Sequence, residues 1–242
     1  MMALIAGTGL EALFPAGENL PQKSNAWGDP SAALQRVITQ QGELLVLNRH
    51  GDDGEIPPHR VNYRANIAAL RDAGATSVLS INTVGSITSP DRVGSLCVPH
   101  QVIDLTWGRE ATFFDGGQTG RKHIDLTWPF DAGLRERVLS AGEQCGAGLV
   151  HQGVYVCMQG PRLETAAEID YLKWMGGDIV GMTLMPEAAL AREAGLAYAA
   201  VCPMVNAAAG IMGVPISIED IETTASELMP CLKQLTTHLL AG

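Results

Sequence analysis

Asn48-Arg49-His50-Gly51 sets a planar cation beside an imidazole at the end of an apolar run. An arginine fork with an adjacent histidine donor suits an anion carrying several oxygens. Three more apolar runs close on small polar residues: Ala6-Gly7-Thr8-Gly9, Ile81-Asn82-Thr83-Val84-Gly85 and Gly181-Met182-Thr183. Sheets of α/β proteins bind ligands at the carboxyl ends of their strands, so these four ends predict one site for inorganic phosphate or a phosphate group. Taken singly, each segment also fits a tight turn, a surface arginine or a satisfied core histidine. Gly7-Thr8-Gly9 lacks both the GxGxxG spacing of a dinucleotide site and the GK[ST] of a P-loop. Two further segments could hold a planar heterocycle. Glu164, in Gln159-Gly160-Pro161-Arg162-Leu163-Glu164-Thr165, either favours a helix N-terminus or accepts hydrogen bonds from such a ring. Asn206, at the end of the apolar run before Ala207 and Ala208, needs a partner from backbone or ligand.

These residues need a frame. Alternating β-type and helical runs predict an α/β fold, a largely parallel or mixed sheet covered on both faces. Strands are expected at Ala3–Ala6, Leu34–Thr39, Leu44–Asn48, Ser77–Thr83, Leu96–Thr106, Gly153–Met158, Asp178–Thr183 and Tyr198–Val205. Helices are expected at Tyr63–Ala73, Ala132–Gln144, Ala166–Trp174, Pro186–Ala194 and Ile218–Leu240. The segments 52–58 and 115–120 are the most turn-like and are expected as loops near a site. With no linker, charge block or repeat in between, residues 1–242 read as a single domain.

Composition narrows the chemistry. A 46% apolar content with 17% charged residues supports a large core. The net charge of −10 leaves no basic face for nucleic acid or an anionic membrane. The five cysteines, widely and irregularly spaced without a CxxC or a Cys/His cluster, predict reduced, mostly buried thiols in a cytoplasmic protein and no metal site. Met1–Gly7 has no basic region and is too short for a signal peptide. The uncharged run from 195 to 218 is broken by Pro203, Asn206, Gly210, Gly213 and Pro215, so it predicts a buried strand and loop, not a membrane span.

In order and spacing, AGTGL, NRHG, VNYRANI, NTVGS, QGPRLET and GMTLMPEAALAREAG resemble the trimeric purine nucleoside phosphorylase family almost from end to end. The nearest branch is similar to methylthioadenosine phosphorylase and S-methyl-5′-thioinosine phosphorylase. The resemblance implies a mixed, partly barrelled sheet flanked by helices, assembled as a homotrimer with sites at subunit boundaries. It implies phosphorolysis of a purine nucleoside to free base and ribose 1-phosphate or its 5-methylthio analogue. Phosphate is then a co-substrate, with no metal or organic cofactor. Carried over residue by residue, the phosphate site is Thr8, Arg49, His50, Asn82, Thr83 and Thr183. Met182 lies under the ribose, and Leu163, Glu164, Asn206, Ala207 and Ala208 surround the base. Ile218 faces the 5′ substituent, with His123 arriving from a neighbouring subunit.

The residue types fit that chemistry. An anionic phosphate stabilises an oxocarbenium-like sugar, while Asn206 and Glu164 stabilise charge growing on the leaving purine. Two departures carry information. The branch often has a histidine shortly after the RHG motif, where this chain has Asp52-Asp53-Gly54-Glu55. Adenine-specific relatives place aspartate at Asn206 and lack the glutamate at Glu164. These last differences point to a 6-oxopurine, with S-methyl-5′-thioinosine as the expected nucleoside and methylthioadenosine as the alternative. A purine-binding protein that lost catalysis with the histidine is the rival from another class.

Overall fold

The computed structural model describes residues 1–7, 13–14, 17–21, 24–146 and 148–241. Thr8, one of the expected phosphate donors, lies outside the described residues. The strands are β1 (Met2–Ala6), β2 (Glu18–Asn19), β3 (Gln35–Thr39), β4 (Gly42–Asn48), β5 (Ser77–Ile81) and β6 (Val84–Ser86). They continue with β7 (Leu96–Cys97), β8 (Gln101–Asp104), β9 (Leu149–Val150), β10 (Val154–Cys157), β11 (Ile179–Gly181) and β12 (Ala197–Ala207). The helices are α1 (Tyr63–Asp72), α2 (Ala132–Glu143), α3 (Ala166–Trp174), α4 (Leu184–Glu193) and α5 (Ile218–Ala241).

All the strands join one mixed sheet, ordered β2-β3-β4-β1-β5-β12-β6-β11-β10-β8, with β7 on β12 and β9 on β7. Both faces are buried, which is why its strands read as apolar runs. Along β1, Ala3 and Ile5 enter one core while Leu4 and Ala6 enter the other. β12 alternates likewise, Tyr198 and Ala200 against Ala199 and Val201. Leu184 and Leu190 of α4 and Ile67 of α1 fill the first core. Val138 of α2 and Leu232 and Leu235 of α5 fill the second. The expected mixed α/β sheet flanked by helices is what forms.

Several boundaries differ. The run expected as one strand at Leu96–Thr106 is two, β7 and β8, separated by Val98-Pro99-His100. Pro99 cannot donate to a ladder, and the two pieces pair with different neighbours. The Ser77–Thr83 strand stops at Ile81, with Asn82 keeping one backbone bond, its N–H to the Val201 carbonyl at 3.2 Å, before β6 begins at Val84. Pro203 marks the place where β12 passes from β5, ending at Val201, to β6, starting at Met204. The short strands β2 and β9 were not expected from sequence; two residues carry no periodicity. Cys145 and Cys231 form a disulfide with Cα atoms 5.3 Å apart, correcting the expectation of five reduced thiols. Their separation of 86 residues hides the pairing in the sequence. Cys97, Cys157 and Cys202 are free and buried. Among the described residues no helix is long and apolar enough to cross a membrane.

Candidate active site

The carboxyl ends of β1, β4, β5, β11 and β12 meet around a cavity of about 310 Å³. Its walls include Arg49, His50, Asn82, Thr83 and Thr183 together with Leu163, Glu164, Met182, Asn206, Ala208, Ile218 and Glu222. Local sequence explains the convergence. Each strand ends where its apolar run meets Gly7, Asn48-Arg49, Asn82, Met182-Thr183 or Asn206, and polar groups at strand ends can turn away from the ladder. Ala207 and His123 do not line the cavity: the Ala207 carbonyl accepts the Asn206 amide at 2.7 Å, and His123 is exposed.

Arg49 is fully buried and largely occupied. Nε and Nη2 donate to Glu187 at 2.8 and 3.1 Å, Nη2 to Ser80 Oγ at 2.6 Å, and Nη1 to the Ile81 carbonyl at 3.1 Å. Burial works against the guanidinium charge, but the Glu187 carboxylate outweighs it and raises the pKa above the ordinary arginine value. Glu187 also accepts Tyr198 OH at 2.8 Å and Ser80 Oγ at 2.6 Å. The network continues through Ser80 Oγ, 2.9 Å from Asn82 Oδ1, and from Asn82 Nδ2 to Thr183 Oγ1 at 2.8 Å. The arginine fork expected from sequence is thus turned onto a carboxylate. Among the described residues the second hydrogen on Nη1 has no acceptor; that nitrogen lies beside Gly7, where an added Cβ would be 3.1 Å from it. Sequence reasoning did not single out Ser80, Glu187 or Tyr198. Glu187 is the one acid in the otherwise apolar stretch 184–191, which is the available signal for a buried partner to a buried cation.

His50 Nδ1 lies 2.7 Å from the Ile56 carbonyl, tying it to the segment whose Gly54, Ile56, Pro57 and Pro58 line the cavity. That segment stands where the branch histidine is missing. Glu164 is half-buried; desolvation, assisted by Glu168, pushes its carboxyl above the ordinary range against its own backbone N–H and Arg162. Gly85 lies below Asn206, since a Cβ there would be 3.4 Å from Asn206 Nδ2 and 3.3 Å from Val180. Burial pushes the Cys157 thiol up to about 12, so it is no thiolate nucleophile. The cavity therefore gathers imidazole, hydroxyl and amide groups with apolar side chains and the carboxyls of Glu164 and Glu222.

The family model described as phosphorylase superfamily matches residues 2–241. A protein described as a probable S-methyl-5′-thioinosine phosphorylase from Pseudomonas syringae pv. tomato is 43% identical over 99% of this chain and 98% of its own. A 6-oxopurine nucleoside phosphorylase from Pyrococcus furiosus is 36% identical over 91% of this chain and 84% of its own. Among solved structures, a point mutant of adenosine/methylthioadenosine phosphorylase from Schistosoma mansoni in complex with methylthioadenosine superposes with a TM-score of 0.91. It is 30% identical, covering 99% of this chain and 90% of the other. The fold and the relatives agree over nearly the whole length, and the chain belongs to the phosphorylase superfamily.

Proposed function

We propose that the protein cleaves 6-oxopurine nucleosides with phosphate, S-methyl-5′-thioinosine foremost. The observation that carries this is Glu164 and Asn206 in one cavity with His50, Asn82 and Thr183. The donors hold phosphate; the Glu164 carboxylate and the Asn206 amide suit a ring with N1–H and O6. A phosphate oxygen bonds to C1′ as the bond from C1′ to N9 breaks, and the electron pair leaves with the purine. The phosphate charge stabilises the oxocarbenium-like sugar. Asn206 donates toward N7 or O6 and Glu164 accepts from N1–H, both more strongly as charge builds on the base. Relatives described as S-methyl-5′-thioinosine and 6-oxopurine nucleoside phosphorylases support the base assignment. The Schistosoma mansoni enzyme, described as acting on adenosine and methylthioadenosine, supports the 6-amino alternative.

Thr8, Arg49 and Thr83 complete the phosphate site in this reading, with Met182 under the ribose. Residues 1–242 act as one unit, and a second copy completes the site: the cavity-lining Leu163 and Ile218 are 40% and 57% exposed, and His123 does not line the cavity of its own chain. A homotrimer has that geometry.

Incubation with phosphate and inosine, adenosine and their 5′-methylthio analogues tests the reading by release of free base. Methylthioinosine is expected to be cleaved on the order of a hundredfold more efficiently than methylthioadenosine, because a buried carboxylate facing adenine N1 lacks a donor. Equal efficiencies would shift the assignment to methylthioadenosine. Base release without phosphate would refute phosphorolysis.

A further inference from the structure

Arg109 has no role in the site as described, yet the five N–H groups of its side chain face six acceptors within hydrogen-bond distance. Nη1 donates its two hydrogens to the carbonyls of Met182 at 2.8 Å and Met185 at 2.6 Å and shares one of them with Tyr63 OH at 3.2 Å. Nη2 donates to the carbonyls of Gln159 at 2.9 Å and Met158 at 3.3 Å, and Nε to Gln159 Oε1 at 3.1 Å. One planar group thus joins the chain leaving β10, which leads to Glu164, to the chain leaving β11, which carries Met182 and Thr183.

Two features bring these segments close together. Gly160, at φ +62°, presents a bare Cα to Met182; an added Cβ would lie 2.4 Å from its sulfur. The peptide between Met182 and Thr183 is held at both ends, its carbonyl by Arg109 and its N–H toward Tyr155 OH at 3.5 Å. We infer that Arg109 is a positioning residue, clamping the base-binding segment to the segment under the sugar and phosphate so that both substrates meet in reactive register. This rests on the phosphorolysis reading above. A guanidinium suits the task because its donors point in fixed directions to both chains at once, whereas an ammonium is a single point.

The test compares wild type with R109A and R109K. Both variants are expected to lose on the order of a hundredfold in kcat/KM, with KM rising for nucleoside and phosphate alike. Ethylguanidinium is expected to restore activity to R109A and to leave wild type and R109K unchanged. Hydrogen exchange supplies a readout independent of turnover: R109A should exchange faster at 158–164 and 182–185, with α2 and β1 unaffected. Were R109A to unfold, R109K would carry both measurements. Activity within about threefold of wild type in either variant, or unchanged exchange in those segments, would overturn the clamp. Failure of wild type to release base overturns the proposed function instead, and exchange still reads the clamp.

Discussion

Arg49 and Glu187 are both 0% exposed, and a buried ion pair is a constraint before it is a source of stability. Removing one partner strands a charge, whereas replacing both does not. Glu187→Ala is therefore expected to cost about 3–5 kcal/mol in urea unfolding, while the R49M/E187L double variant loses less, its remaining cost being the Tyr198 and Ser80 hydroxyls and the Ile81 carbonyl that lose these partners. Both should lose phosphate dependence, which separates the pair's stability from its work. Glu164 obeys a different sign. Burial raises its folded pKa, so the folded state binds the proton more tightly than the unfolded chain and stability falls as pH rises from the ordinary carboxylate value through the raised one. Glu164→Gln should raise the melting temperature at pH 7, with the gain fading in acid. The same change should erase most of the preference for a 6-oxopurine, measured as the ratio of kcat/KM for methylthioinosine and methylthioadenosine.

At the scale of elements, α3 sets the approach of Glu164. Thr165 caps it: Thr165 Oγ1 accepts the Glu168 N–H at 3.2 Å, and Glu168 accepts the Thr165 N–H at 2.7 Å. Glu168 also pairs with Arg162 at 2.7 Å. Thr165→Ala should cost about 1 kcal/mol and weaken base selection, because the freed helix start is the segment that carries the carboxylate. The hydrogen bonds from Arg162 and the Thr165 backbone hold the Glu168 carboxyl at about 2. Its contribution is present above the ordinary carboxylate range and is lost as pH falls through that range toward 2. Glu168→Gln should flatten that part of the acid-unfolding profile, followed by circular dichroism. β11 shows why an element can be intolerant of a single methyl group. A Cβ on Gly181 would lie 2.1 Å from the hydroxyl of buried Tyr155, so Gly181→Ala should destabilise by about 1–3 kcal/mol and Tyr155→Phe should recover part of the loss.

At the scale of the molecule, α5 connects the core to the cavity. Leu232, Leu235 and Leu239 are buried against the sheet, while Ile218 and Ile221 reach the cavity wall. An apolar wall should favour a methylthio group over a hydroxyl by about 1–3 kcal/mol, or 10- to 200-fold in kcat/KM. Ile218→Asn should narrow the gap between inosine and methylthioinosine. If a neighbouring copy lends His123, two variants inactive alone, His123→Ala and Asn206→Ala, should regain activity when their subunits are mixed by reversible dissociation. No regain in mixed oligomers would place the whole site within one chain.

The amino-acid sequence by itself determined the α/β class, most helices and strands, and the strand ends where the polar site residues gather. Apolar runs closing on Asn48-Arg49, Asn82, Thr183 and Asn206 are local signals, because burial and the end of a ladder are written in adjacent residues. Short strands and the split at Pro99 escaped it, since their pairing is with partners distant in the chain. The tertiary structure alone decided what each donor does. Arg49 meets Glu187 across 138 positions, and Arg109 meets Met182 across 73. Hydrogen bonds are satisfied in space, so no spacing along the chain could disclose that one arginine is neutralised in the core while another fastens the two halves of the site.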